Sequence, residues 1–460
     1  MIYLKINNLY NHNHTMQKVN LQTGIWYNDH PIELSFPDTW EIINCRPDTP
    51  SPLSDEEIRA RLGKPVNQAP LHTLAKGKSR PLIVIDDLAR PTPVFRILPY
   101  ILEEFRVVGI NAEDIRILVA TGTHGEQDST ALANKIGEDA YHSCRVIVHN
   151  YKKNTKYVGK TSFGTPVYVN REVLESDFVC GIGGIYPQHT TGFGGGSKLA
   201  LGILGRKSIV NLHFGNHGSV GGTYNINNTF RRDLDEIAHM IGLNTIFTLH
   251  TNGSLELVNL TCGDHFSYYA EAAGFSRNTY DAPLPLDADV VIVNTYPSDV
   301  SYTFMRKGMK PLRCAPPSAT KIAIGYNHEG VGEHGIFPQG GKSRLENLRA
   351  LRLRISTMEP RVILQKIIKN ILPKKDVPKQ PEPHQFALPE KIDNLLLYRP
   401  KGAHAHIPPI DDMQITSSWD NVLAEIKKQH PSHENLRVYI YPCASLQCLD
   451  HLKLQNQAAN

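Results

Sequence analysis

The chain has 460 residues, of which 40% are hydrophobic and 20% charged, and a formal net charge of +4. That length exceeds what a single hydrophobic core serves, so two domains are expected. The balance of 49 basic against 45 acidic residues, without a long basic run, argues against a nucleic-acid partner, and no apolar run reaches the roughly 18 residues of a membrane span.

The amino terminus Met1-Ile2-Tyr3-Leu4-Lys5 lacks the charged-then-apolar design of a secretory signal. Met16 is an alternative start, because residues 1–15 are polar and rich in His and Asn. Seven cysteines form no C-x-x-C pair, and an odd count fits reduced thiols better than a disulfide framework. A cytoplasmic protein with no membrane partner is expected.

Short β-branched runs alternate with helical patterns, as in a largely parallel or mixed sheet flanked by helices. Leu82 to Ile85 reads as a strand running into Asp86-Asp87-Leu88-Ala89-Arg90-Pro91. A helix is then expected with Thr92 as N-cap and Pro93 in its first turn, kinked at Pro99 and ended by Gly109. Further strands are expected at 115–120, leading into Thr121-Gly122-Thr123-His124, at 145–148 and at 178–182. A second α/β pattern follows 281–285, with strands at 290–293, 321–324 and 438–441. A helix at 343–372 is interrupted near Pro360, and the prolines from 373 to 389 mark a stiff connection. The expected division is 1–275 and 276–460, with the active site in the cleft between the two domains. Ligands of open α/β sheets gather beyond the carboxyl ends of the strands, which is where the polar motifs fall.

The segment Gly192-Phe193-Gly194-Gly195-Gly196-Ser197-Lys198 follows Gln188-His189 and precedes His213. Glycines at this density let backbone N–H groups approach a bulky anionic ligand, at a cost in conformational entropy. An ATP-type P-loop is excluded because Ser197 precedes the lysine and Leu199 follows it. No G-x-G-x-x-G with a following acidic residue marks a dinucleotide site. A zinc hydrolase is a poor fit to His213 and His217, since no glutamate follows His213. His217 reads as a solvated helix residue.

Three patterns occur together: Asp87-x-x-Arg90-Pro91-Thr92-Pro93, Ala120-Thr121-Gly122-Thr123-His124, and the span from Gln188 to His213. Jointly they resemble the nickel-pincer lactate racemase family. The likeness extends to Pro297-x-Asp299 with Lys307, to Glu329-Gly330-Val331-Gly332 and to Tyr441-Pro442. The resemblance implies an isomerase, a 2-hydroxy acid racemase or epimerase. It also implies the nickel-pincer nucleotide, nickel pyridinium-3-thioamide-5-thiocarboxylic acid mononucleotide, joined to Lys198 beside Gly194, Gly195 and Gly196, with His213 on the nickel. His124 matches the first catalytic histidine, and Asp87 the residue that supports the site. Arg90 and Lys307 match the residues that hold the substrate carboxylate. Proteins that make the cofactor are implied as loading partners, and a small 2-hydroxy acid as substrate.

Several positions depart from the family pattern. The second histidine of the family stands ten residues before the lysine, where this chain has Gln188, with His189 nine before. Either His189 takes the second base position or Gln188 does and the site has one histidine base. Phe304 stands where the family has a glutamine beside the substrate, and Gly125 where an arginine commonly follows the histidine. Both departures imply a substrate other than plain lactate. Two readings compete with the racemase: a phosphate- or nucleotide-binding protein without redox chemistry, and a different 2-hydroxy acid oxidoreductase.

Overall fold

The computed structural model describes residues 16–27, 30–217, 224–339, 342–371, 392–403, 405–410 and 412–449. The proline-rich connection at 373–389 lies outside these residues. Two six-stranded sheets organise the chain. In the first, the strands run in the order Leu257–Asp264, Thr245–Thr251, Phe178–Gly184, Pro81–Asp86, Arg116–Ala120 and Arg145–Val148. All its pairings are parallel except that of the edge strand Leu257–Asp264.

The second sheet is parallel throughout, in the order Gln414–Thr416, Leu395–Tyr398, Thr320–Ile324, Val290–Asn294, Arg437–Tyr441 and Glu41–Asn44. Its outer strand Glu41–Asn44 comes from the start of the chain, so this sheet draws on residues from both sides of position 275. Four residues give a period-2 signal too short to assign a partner, and only long-range pairing places such a strand.

Central strands of a parallel sheet are covered on both faces, and the apolar runs here meet that demand. Ile83, Ile85, Ile117, Val119 and Ile182 face one core of the first sheet. Leu82, Val84, Leu118, Val179 and Ile246 face the other. The second sheet divides likewise, Val291, Val293 and Leu397 on one side and Val290, Ile292 and Ile324 on the other.

Other elements match the sequence pattern closely. The basic stretch forms Arg344–Ile355 and Pro360–Ile371, broken where Pro360 opens the second helix. The helix after the first strand differs from expectation. Thr92 does not cap it: its hydroxyl donates to the Asp86 carboxylate. A single 3₁₀ turn covers Val94–Arg96, and the helix proper is Leu98–Val107. Pro99 therefore sits in the first turn, where its missing N–H costs nothing, and does not kink a helix interior.

The segment preceding the first helix ties the two lobes together. Gly24 N–H donates to Asp299 Oδ2 at 3.2 Å in the second lobe, while the Trp26 indole N–H donates to Leu88 O at 3.1 Å in the first. Among the described residues no helix is long and apolar enough to cross a membrane.

Candidate active site

The polar motifs leave the carboxyl ends of adjacent strands. Asp86 pairs in register with Ala120, so Asp87 and the turn Thr121–His124 emerge side by side. His124 N–H returns to Thr121 O at 3.0 Å, which folds the histidine back over the strand ends. Its Nδ1 there meets the Asp87 carboxylate. Burial pushes the Asp87 carboxyl up, but His124, with Arg90 and Lys135 nearby, outweighs it and holds the group at about 2. The imidazole is lowered below its ordinary value by burial, with Arg90 and Lys307 adding to the effect against the pull of Asp87. The pair is thus a carboxylate and a neutral imidazole. Nδ1–H donates to the carboxylate, and Nε2 is left as the acceptor.

Arg90 leaves the same strand end as Asp87. Lys135 fixes its loop, its Nζ donating to Arg90 O at 2.8 Å and to Thr92 O at 3.2 Å. Lys135 is itself fully buried and paired with Asp86 at 2.8 Å. The Arg90 guanidinium lies 5.9 Å from the centre of the Tyr186 ring and has no carboxylate partner among the described residues.

Lys198 opens the short helix Lys198–Leu201. The strand Phe178–Gly184 is built to receive that helix: a Cβ at Gly181 would lie 2.8 Å from Leu199 Cδ1, so a side chain there would force Leu199 to repack. The glycines before it serve packing. Gly194 and Gly196 lie against the rings of Tyr186 and Tyr269, where an added Cβ would approach to 2.8 Å in each case, and Gly195 has a φ of +68°. The loop's carbonyls are held by Arg231, whose guanidinium donates to Phe193 O at 2.5 Å and Gly195 O at 3.1 Å, and also to the Tyr269 hydroxyl. Arg231 is a site residue that the sequence did not single out. It lies mid-helix in Thr229–Met240, where arginine is common and carries no distinguishing pattern.

The Lys198 amine makes no hydrogen bond or ion pair among the described residues. Burial lowers it to about 7, helped by Arg90 and Arg231. Lys307 is pushed well below its ordinary value by burial, with Arg90 and Lys198 as further causes. Three basic side chains, Arg90, Lys198 and Lys307, therefore converge on one crevice whose carboxylates, Asp86 and Asp87, are already engaged. Such a crevice favours an anion.

His213 lies in a single π-helical turn, Leu212–Asn216, a geometry that concentrates at functional sites. Burial, with Lys198 and His189 nearby, lowers its imidazole to about 3. It packs between Phe230 and Phe337, with ring centres 5.0 and 5.2 Å away. His217 is buried, contrary to the solvated position expected for it. Its Nε2 meets Asp233 at 2.7 Å and its Nδ1 meets the Thr229 hydroxyl at 3.0 Å.

Gln188 and His189 occupy a small hairpin in which Pro187–Gln188 pairs with Gly192–Phe193. The Gln188 side-chain oxygen accepts from the backbone N–H groups of Thr190 and Thr191, both at 2.8 Å, and from their hydroxyls at 2.7 and 3.0 Å. Gln188 thus pins the turn. His189 at the tip keeps exposed surface, yet crowding by surrounding atoms, and then Lys307, Lys198, Lys310 and Arg90, push its imidazole down to about 3.

The second lobe contributes Phe304, whose ring centre is 4.5 Å from that of His124, and Lys307, whose Nζ lies 5.0 Å from the Phe304 ring. It also brings His334, which escaped the sequence reading because it follows the glycine turn without a spacing of its own. The ring centres of His334 and His124 are 5.0 Å apart, and the two residues form an isolated backbone bridge.

The site thus joins a carboxylate–imidazole pair, buried lysines and a glycine loop at the strand ends of a two-lobed α/β fold. Residues 27–221 match the lactate racemase N-terminal domain family. The chain is 28% identical over 295 residues to a lactate racemase of Lactiplantibacillus plantarum, covering 62% of this chain and 69% of that one. It is 29% identical over 298 residues to a lactate racemase of Thermoanaerobacterium thermosaccharolyticum, with the same shares. The fold matches the lactate racemase apoprotein of the latter organism with a TM-score of 0.65 at 19% identity, over 95% of this chain and 100% of that one. A Thermotoga maritima protein matches with a TM-score of 0.53 at 17% identity, over 87% and 99%. The chain is thus similar to lactate racemases, with the family match lying in its N-terminal part.

Proposed function

We propose that this chain inverts the α-carbon of a 2-hydroxy acid other than plain lactate, using a nickel-pincer nucleotide carried on Lys198. The observation that carries the reading is the unpaired Lys198 amine, held low at about 7 beside a neutral His213 lowered to about 3. A free amine is the form that makes an acyl-type bond, and a neutral imidazole is the form that ligates a metal. The residues present therefore fit the group. Among the described residues no cluster of three or more His, Cys, Asp or Glu side chains would hold a metal alone, so a metal at His213 needs ligands from the cofactor. When bound, the cofactor supplies a reversible acceptor for the substrate's α-hydride.

The side chains do the rest. Arg90 grips the substrate carboxylate in a planar, two-point manner, and Lys307 adds a second donor, which together fix the α-carbon. His124, neutral and oriented by Asp87, takes the hydroxyl proton on Nε2. Asp87 stabilises the imidazolium that forms and stays ionised. His189, at the hairpin tip, is the second proton carrier, returning a proton when the 2-oxo acid is reduced on its other face. Gln188 shapes the hairpin that carries it. Phe304 covers the face of His124 and keeps water from the reacting hydroxyl. The setting is cytoplasmic, and cofactor-making proteins load the lysine.

Coexpression with cofactor-making enzymes tests this reading. Protein from such a host should carry about one nickel per chain and a mass adduct on the peptide containing Lys198, both lost in Lys198→Ala. Unmodified, nickel-free wild-type protein from a competent host would overturn it.

A further inference from the structure

Beside the base His124 stands a wall that the proposed cycle does not use. Gly125 leaves room for it: a Cβ there would lie 3.1 Å from Glu333 Cβ, so a larger residue would press on the side chain next to His334. His334 is half-buried and packs on Phe337, with ring centres 4.3 Å apart, while Phe304 stands 6.1 Å away. Its Nδ1 is tied to the Thr123 hydroxyl at 3.1 Å. With its ring only 5.0 Å from that of His124, no substrate fits between the two, so His334 does not serve as the base of the opposite face.

We propose that His334 is a specificity-determining residue that hydrogen-bonds a hydroxyl group on C3 of the substrate, making the preferred class 2,3-dihydroxy acids. The proposal rests on the racemase reading above. Phe304, with Lys307 over its ring, and His334 both pack on His124, so a substrate whose carboxylate is held at Lys307 and whose hydroxyl meets His124 has this wall within reach of its C3 substituent. Burial keeps the His334 imidazole neutral, as do His124, His213 and Lys307 around it. A neutral imidazole whose Nδ1 is committed to Thr123 presents Nε2 as donor in one tautomer and as acceptor in the other. A hydroxyl answers both. A methyl answers neither and leaves that nitrogen without a partner, and an anion finds no charge on this ring.

The experiment uses the full chain carrying its cofactor and compares inversion of glycerate with inversion of lactate. Wild type should favour glycerate in kcat/KM by about tenfold or more, as expected where a site built to hydrogen-bond a hydroxyl meets an analogue lacking it. His334→Phe, which keeps the ring, should bring that ratio close to one. His334→Gln, which keeps a donor and an acceptor, should restore part of it. A wild-type preference for lactate, or a ratio unchanged in His334→Phe, overturns the proposal. If cofactor-bearing protein inverts no 2-hydroxy acid, the racemase reading fails. Calorimetric titration with glycerate then still tests the wall, and equal affinity for wild type and His334→Phe overturns it.

Discussion

The Asp87 carboxylate and the His124 imidazole meet because the strands that carry them are in parallel register, Asp86 opposite Ala120, and both segments turn at the carboxyl end of the sheet. A buried carboxylate that stays ionised fixes the proton of its histidine on Nδ1. Asp87→Asn keeps the shape and removes the charge, so kcat should fall by about 10²–10⁴, the range of a general acid–base contribution, with a smaller change in KM. Unaltered kcat in cofactor-bearing Asp87→Asn would show that the pair takes no part in proton transfer.

The hairpin at 187–193 separates two roles. His189→Gln removes a proton carrier and should lower kcat by about 10²–10⁴ with little change in stability. Gln188→Ala removes the oxygen on which four donors converge and should act through the turn, visible as faster amide exchange at Thr190 and Thr191. If Gln188→Ala costs more turnover than His189→Gln, the assignment of the second base to His189 is wrong.

Arg231 clamps the glycine loop from behind. Arg231→Met removes the charged donor from Phe193 O and Gly195 O, which keep Thr191, Tyr269 and the Lys198 N–H as partners, and should cost about 1.5–3 kcal/mol, the worth of a hydrogen bond to a charged group. Lysine at this position should recover only part, because it lacks the planar fork. Urea unfolding measures this directly, and a midpoint equal to wild type would contradict it.

Acid should weaken the fold before the carboxylates titrate. Burial lowers His149 to about 4, His250 to about 3 and His265 to about 4, against an ordinary value of 6.5. Between those values the unfolded chain binds protons that the native one does not, so stability is complete above pH 6.5 and declines as pH falls toward about 4. Urea midpoints at pH 7.5, 6 and 5 should decrease in that order. Constancy down to pH 5 would show that these imidazoles are not held neutral.

Much of the site was legible because its residues sit in short motifs at strand ends, where local spacing and position coincide. Asp87, Arg90, His124 and Lys198 are of this kind. Arg231 and His334 were not, since each reaches the site from a distant element through tertiary packing. The strand Glu41–Asn44 joins the second sheet for a similar reason, its partner lying almost 400 residues away at Arg437 to Ile440. Thr92 misled because a threonine before a proline suits a helix start, while here a buried carboxylate competes for its hydroxyl.

The most direct test of the central claim follows the α-hydrogen itself. A single enantiomer of a 2-hydroxy acid carrying deuterium at the α-carbon is incubated in ordinary water with nickel-bearing protein. The account predicts the opposite enantiomer with deuterium retained at that carbon, because the same hydride leaves and returns. Inversion with the deuterium fully replaced by solvent hydrogen would contradict it.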